Sequence, residues 1–225
     1  MTDAAKRRWW ATRILCYVLG LITMAFGIAL AIRSDQGAPP GGAISVAVYQ
    51  FVPLTIGQCS ALFNIFCVFL QVIITRRPRL IHLFQLPLAY VFGLILDFFY
   101  DRLDLPLYSV SYALVFLVLG MLIFSLGIRI IVGAKIVLAP PDGVAMTVGN
   151  IFGWPMSKSK LIFDITAVSI AALLTLIIGG NAFMVVGLGT AICALFTGPL
   201  IGLYTKLLPF FNTEANKPGV DTGTQ

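Results

Sequence analysis

The sequence predicts an all-α membrane protein with six transmembrane helices, arranged as two repeats of three helices in opposite orientations. Three observations support this fold class. Hydrophobic residues make up 59% and charged residues 11% of the 225 residues, with a mean hydropathy of +0.98, whereas soluble domains carry about 25% charged residues. Apolar runs of the length needed to cross a bilayer recur along the chain. The two halves share features at a spacing of about one hundred residues.

The first half, residues 13–104, is predicted to contain three spans and one short helix. The short helix is apolar but too short to cross a membrane. In chain order the predicted elements are a basic cytoplasmic N-terminus at 1–12, a first span at about Arg13–Ile32, a short helix at Ala43–Val52, and spans at about Gln58–Thr75 and Ile81–Tyr100.

The second half, residues 105–208, has the same predicted order of elements. It is followed by a polar tail at 209–225 that contains Gly, Thr, Asn and Pro. The predicted elements are a fourth span at about Tyr108–Val132, a short helix at Val144–Phe152, and spans at about Lys160–Ile178 and Phe183–Leu207.

A Pro/Gly segment precedes each short helix. The first reads Gly37-Ala38-Pro39-Pro40-Gly41-Gly42, and the second reads Ala139-Pro140-Pro141-Asp142-Gly143. Prolines lock φ and remove backbone donors, whereas glycines permit turns that other residues resist. We therefore expect each segment to interrupt a helix. Because broken backbone at membrane depth is tolerated only in protein or beside a cavity, the two segments are the first candidates for a functional site.

The basic residues indicate the orientation in the membrane. With the N-terminus inside, only Arg33 and Arg102 of the 15 Lys and Arg residues fall on the outer side. The positive-inside rule therefore predicts six spans in the plasma (inner) membrane with both termini in the cytoplasm. The net charge of +6 then reflects topology, and we expect no nucleic-acid partner.

The repeat predicts an inverted architecture. Gly20 and Gly27 correspond to Gly120 and Gly127, and Asn64 corresponds to Asp164. With a one-residue slip, the two Pro/Gly segments also correspond. An odd number of spans in each repeat inverts the second relative to the first, a design that recurs in secondary transporters. The alternative is that duplication built a stable bundle whose prolines are simply turns. The glycine faces would suit close helix packing and a homodimer.

Several motifs of the second half are typical of a known family. They are Ala139–Gly143, Asp164, Gly179-Gly180, Gly187–Thr190 and Gly198-Pro199. Through them the sequence resembles a bacterial family of integral membrane proteins, the YczE/YyaS-like (YitT-related) group. The resemblance covers nearly all of residues 13–208. It departs at Gly41-Gly42, where relatives often have Trp-Asp, and at Gln85-Leu86-Pro87, where they often have Gly-Thr. It implies the fold and the membrane location and leaves the activity open.

Ionisable and polar residues within spans are functional candidates because burying them in a bilayer is costly. Asp97 and Asp164 are candidates for carrying a coupling proton, although Arg102 could neutralise Asp97 and Lys160 could pair with Asp164 at i,i+4 spacing. Asp142 could instead cap a helix. The predicted substrate site comprises Pro39, Pro40, Gly41, Gly42, Asn64, Pro140, Pro141, Asp142, Gly143, Asp164, Gly189 and Thr190.

The predicted function is that of a secondary transporter or permease, with lipid and a small solute as partners. The N-termini of the two short helices would favour a small anion or a carboxylate-bearing solute. A channel of the same fold and a non-transporting accessory or regulatory protein are the alternatives. We find no catalytic constellation, cofactor motif or metal-ligand spacing in the sequence, so neither an enzyme nor a bound cofactor or metal is expected.

Overall fold

A computed structural model describes residues 3–76, 78, 80–105, 109–181 and 185–208. These residues form helices and connecting turns, without a β-strand among them. Six of the helices are long and apolar enough to cross a membrane. The elements are α1 (Asp3–Arg33), a 3-10 turn (Pro40–Gly42), α2 (Ala43–Tyr49), α3 (Ile56–Thr75), α4 (Leu80–Arg102), α5 (Val110–Ala134), α6 (Pro140–Phe152), α7 (Met156–Ile178) and α8 (Leu188–Leu207).

Helices α1 and α5 form the centre of the bundle. A Cβ added to Gly120 would lie 2.8 Å from the carbonyl oxygen of Gly27 and 2.8 Å from the amide nitrogen of Ala31. A Cβ on Gly127 would lie 2.5 Å from the amide nitrogen of Met24. Small residues thus let the two backbones approach closely. The glycine faces that we expected to serve a homodimer are therefore occupied within the chain.

Helix α1 begins at Asp3, ten residues before the predicted first span. Arg13 is only 7% exposed, and its guanidinium lies 4.6 Å from the ring centroid of Trp9 and 4.7 Å from that of Trp10. Its Nε donates a hydrogen bond to the carbonyl oxygen of Ala134 at 2.8 Å. Arg13 therefore fastens the start of α1 to the C-terminus of α5, where a cation is favoured.

The prolines begin helix α6 and the 3-10 turn that precedes α2. Helix α6 begins at Pro140, which corrects the predicted start at Val144 by four residues. Helix α2 begins at Ala43 as predicted, directly after the 3-10 turn that begins at Pro40. The residues before these starts have the same backbone conformation: φ −55° and ψ 139° at Pro39, φ −56° and ψ 140° at Ala139. Proline is tolerated at the first helical positions because the donors it lacks are unpaired there in any case. The two starts, Pro40 and Pro140, are one hundred residues apart, so the halves correspond here without the one-residue slip expected from the sequence.

The packing of the short helices follows the same relation in both halves. Helix α2 packs against α3 and α7, and α6 likewise packs against α7 and α3. Helix α1 packs against α4, and α5 packs against α8. These matched neighbours agree with a repeat, whereas the inversion of one half relative to the other stays a prediction. The predicted starts of the fourth and sixth spans, Tyr108 and Phe183, lie outside the described residues.

Candidate functional site

Lys160, in the second turn of α7, bridges two carboxylates. Its Nζ lies 2.9 Å from Oδ1 of Asp142 and 2.8 Å from Oδ1 of Asp164. The side chains are 34%, 20% and 17% exposed for Lys160, Asp142 and Asp164 respectively. Asp164 is the eighth residue after Met156, so at a rise of 1.5 Å per residue it lies about 12 Å along α7. We call these three residues the Lys160 cluster, whose formal charge is −1 when all are ionised.

The starts of both short helices meet at the Lys160 cluster. Asp142 lies in the first turn of α6. The 3-10 turn packs against α7, and a Cβ on Gly41 would lie 3.8 Å from Lys160 Nζ. A Cβ on Gly42 would meet nothing within 4 Å, so there is open space beside that residue. The arrangement places one ammonium, two carboxylates and two helix starts around a common point.

The backbone supplies few free donors at this point. Pro140 and Pro141 have no N–H, and the N–H of Gly143 donates to the carbonyl of Ala139 at 2.9 Å. In the first half, the N–H of Gly42 donates to Pro39 at 2.8 Å. The free N–H groups that make an ordinary helix N-terminus an anion site are therefore largely missing here. Lys160 carries the positive charge of the site instead.

Asp97 lies apart from the Lys160 cluster. Its carboxylate accepts a hydrogen bond from the N–H of Gly57 at 2.6 Å and one from the hydroxyl of Thr55 at 2.5 Å. These residues begin α3, so Asp97 joins the start of α3 to α4. Arg102 instead lies 3.9 Å from the ring centroid of Phe98. This contact pattern is that of a carboxylate satisfying helix N-terminal donors.

Asn64 faces a different environment from Asp164. Its Nδ2 donates to the carbonyl oxygen of Ser60 at 2.8 Å, and the side chain lines a cavity that also touches Pro140. On the same helix, Gln71 Nε2 donates to the carbonyl oxygen of Pro140 at 3.1 Å. A Cβ on Gly143 would lie 2.5 Å from Gln71 Oε1. Helix α3 therefore contacts the start of α6 through the Gln71 side chain, while Asn64 of the same helix lines a cavity beside Pro140.

Gly189 and Thr190 contact the loop before the first short helix. The N–H of Gly189 donates to the carbonyl of Gln36 at 2.7 Å, and Thr190 Oγ1 donates to the carbonyl of Val185 at 3.0 Å. A Cβ on Gly37, whose φ is +120°, would lie 2.5 Å from Thr190 Oγ1. The positive φ and the close approach both require glycine at this position. Gly189 and Thr190, two of the predicted site residues, thus position the loop that contains Gln36 and Gly37.

Of the predicted residues, the structure brings together Asp142, Asp164 and the two Pro/Gly starts. The N-cap residue of α6 is Ala139, so Asp142 lies in the first turn of the helix and not at its capping position. The i,i+4 pair that we weighed for Asp164 is present, and Asp142 joins it. The sequence pattern indicated Lys160 only as a partner that neutralises Asp164, and it did not predict that Lys160 also contacts Asp142. A lysine and an aspartate one turn apart inside an apolar span were the available signal.

The family model that matches residues 11–206 is described as a family of unknown function, DUF6198. The chain belongs to this family. Two proteins of Bacillus subtilis (strain 168) are similar to it. "Uncharacterized protein YyaS" is 23% identical over 210 residues, covering 92% of this chain and 99% of the relative. "Uncharacterized membrane protein YczE" is 27% identical over 188 residues, covering 82% of this chain and 81% of the relative.

These relatives confirm the YczE/YyaS-like resemblance inferred from the sequence motifs. Together with the six apolar helices, they support a multi-pass membrane protein. No solved structure matches this chain. Among the residues that the structure describes, no group of three His, Cys, Asp or Glu side chains could hold a metal ion.

Proposed function

We propose that this protein is a small-solute secondary transporter of the bacterial plasma membrane and that the Lys160 cluster is its solute-binding and coupling site. The observation that carries the proposal is the meeting of a lysine and two aspartates with the starts of two short helices. Lys160 and Asp164 lie about 6 and 12 Å along a membrane-spanning helix. Ionisable groups at this depth are costly and mark solute or ion pathways. Transporter sites recur where discontinuous helices begin near the bilayer midplane.

The charge of the cluster suggests how a substrate would bind. Lys160 has three N–H donors, of which Asp142 and Asp164 each engage one. Among the described residues no acceptor is seen for the third, which could donate to a solute carboxylate. Because the ionised cluster carries −1, adding a monovalent anion would leave −2, and a proton on one aspartate would restore the charge to −1. We therefore propose a small carboxylate-bearing solute that binds together with a proton.

The Lys and Arg distribution supports an orientation with both termini in the cytoplasm. Three spans in each repeat would invert one repeat relative to the other, and the matched neighbours of α2 and α6 support the repeat itself. Asp97 is left out of the coupling site because its carboxylate is already engaged by Gly57 and Thr55. Asp164 is the preferred proton carrier, because it lies within a membrane-spanning helix whereas Asp142 lies in the first turn of a short one.

Ligand binding to purified protein is the first test. Thermal shifts would be measured with amino acids, organic acids, sulfonates and inorganic anions, for wild type, Asp164→Asn and Asp142→Ala. One bound proton per monovalent anion makes the apparent affinity rise about tenfold per pH unit as pH falls. Asp164→Asn should abolish that pH dependence. The exposed Asp101→Asn serves as the matched control and should behave as wild type.

Flux into proteoliposomes then separates the alternatives. A transporter accumulates the solute when an inward proton gradient is imposed, and Asp164→Asn loses that accumulation. A channel of the same fold would give flux down the solute gradient without coupling to protons. A protein that is well folded, binds none of the solutes and gives no flux would refute transport and favour an accessory role.

A further inference from the structure

Gly41 and Gly42 leave open space beside the ammonium group of Lys160. A Cβ built on Gly41 lies 3.8 Å from Lys160 Nζ, and apart from the 3-10 turn itself no other heavy atom lies within 4 Å of that position. A Cβ on Gly42 meets nothing within 4 Å. The carboxylates of Asp142 and Asp164 are therefore more than 4 Å from the Cβ position of Gly41. The turn thus approaches the ammonium from a side that neither carboxylate covers.

Neither the backbone nor the packing requires glycine at these two positions. Gly41 and Gly42 lack the positive φ that favours glycine at Gly37, and Gly42 has φ −112° and ψ −5°, a conformation that other residues also adopt. The distance of 3.8 Å from Gly41 to the ammonium is an ordinary van der Waals contact. Both glycines are partly exposed, so a molecule can reach them. The missing side chains therefore call for another explanation.

The repeat shows which group is missing from this side of Lys160. Because Pro40 corresponds to Pro140, Gly42 corresponds to Asp142. The second half thus contributes a carboxylate to the ammonium, at 2.9 Å, and the first half has a glycine at the corresponding place. Lys160 also has a third N–H, for which the described part of the chain shows no acceptor.

We infer that the carboxylate of the solute occupies the space beside Gly41 and Gly42, where one of its oxygens accepts the third N–H of Lys160. The inference rests on the proposed function and specifies where in the Lys160 cluster the solute binds. Gly41 and Gly42 are then specificity-determining residues, because a side chain at either position would compete with the solute for the ammonium.

A double-mutant cycle tests this geometry without a ligand. Gly41→Asp adds a carboxylate beside the ammonium, and Gly41→Asn is its neutral counterpart of similar size. With Lys160 present, the added carboxylate gains a partner, so the two variants should differ little in Tm. In the Lys160→Met background, Gly41→Asp should be several degrees less stable than Gly41→Asn, or should fail to fold where Gly41→Asn folds. An equal difference in both backgrounds would show no coupling between the two positions and would overturn the inference.

Binding of acetate, lactate and pyruvate then tests the occupant of the space. At least one of them should raise the Tm of wild type with increasing concentration. Gly41→Asp should weaken the binding of that anion about tenfold or more, because its own carboxylate takes the hydrogen bond of the solute. Asn150→Asp adds the same charge at an exposed position of α6 and should bind like wild type.

Two results separate a wrong binding position from a wrong function. Equal affinity of wild type and Gly41→Asp for the anion would overturn this position and leave the transport proposal standing. Failure of all three anions to bind wild type would also overturn the inference, and flux of the other solute classes into proteoliposomes would then decide transport by itself.

Discussion

Removing the lysine from the Lys160 cluster should destabilise the protein more than its partial exposure suggests. In Lys160→Met, Asp142 and Asp164 lose the nitrogen that lies 2.9 and 2.8 Å from their oxygens. The two carboxylates, which both contact that nitrogen, are then less than about 6 Å apart and repel each other by about 3 kcal/mol at an effective dielectric constant of about 20. Solvent screens part of this repulsion, because all three side chains are partly exposed. We expect a loss of about 1–3 kcal/mol.

Thermal unfolding of purified protein measures this loss. At about 2–4 °C per kcal/mol for a chain of this size, Tm should fall by a few to about 10 °C at pH 8. The loss should shrink as the pH is lowered, because two carboxylates that repel each other favour protonation of one of them, which removes the repulsion. Lys158→Met is the matched control: Lys158 lies on the same helix, is exposed, and contacts only the Trp154 ring among the interactions described, at 4.5 Å. Its Tm should stay close to that of wild type.

A neutral cluster distinguishes lost charge balance from lost packing. Replacing all three residues, as Lys160→Met, Asp142→Asn and Asp164→Asn together, leaves no uncompensated charge. Because replacing a whole buried ion pair is often neutral, this variant should be nearly as stable as wild type. The charge argument fails if Lys160→Met is as stable as Lys158→Met at pH 8. It also fails if the triple variant is as unstable as the single one.

Two further predictions concern the bundle itself. Asp97→Ala removes the acceptor of the Gly57 N–H and should cost about 1–3 kcal/mol, whereas the exposed Asp101→Ala at the same helix end should cost little, as chemical denaturation of both variants would show. Gly27→Ala drives a Cβ into the backbone of α5 and should lower Tm by several degrees or prevent folding. Gly202→Ala meets nothing within 4 Å and should leave Tm unchanged, so equal Tm values would contradict the packing account.

The spans could be predicted because their signal is local. An apolar run of about 20 residues has no stable alternative to a helix in lipid, and α3 ends at Thr75 as predicted. The next residue, Arg76, adopts a positive φ of 52°, and Pro78 follows. The start of α6 was predicted too late because Pro140 and Pro141 were taken as helix breakers. The same two residues are good helix starters, and which role they play depends on the chain before them.

The Lys160 cluster was only partly predictable because it depends on contacts between distant segments. The pair of Lys160 and Asp164 is four residues apart on one helix, so its spacing was readable. The contact with Asp142 and the approach of Gly41 require α6 and the 3-10 turn to pack on α7. Likewise, the hydrogen bond that Asp97 accepts from Gly57, forty residues earlier, could not be predicted from the sequence, so Asp97 remained a candidate for proton coupling. Sequence periodicity carries no information on either contact.

Comparison of the halves explains why the repeat would have one charged site and not two. At a spacing of one hundred residues, Lys160 and Asp164 correspond to Ser60 and Asn64, and Asp142 corresponds to Gly42. The side-chain bond between Lys160 and Asp164 has a neutral equivalent, in which Asn64 Nδ2 lies 3.4 Å from Ser60 Oγ. The first half thus keeps the i,i+4 contact without its charge. A second charged cluster would bring another excess carboxylate into the bundle, and a transporter that binds one proton with one solute has no need of it.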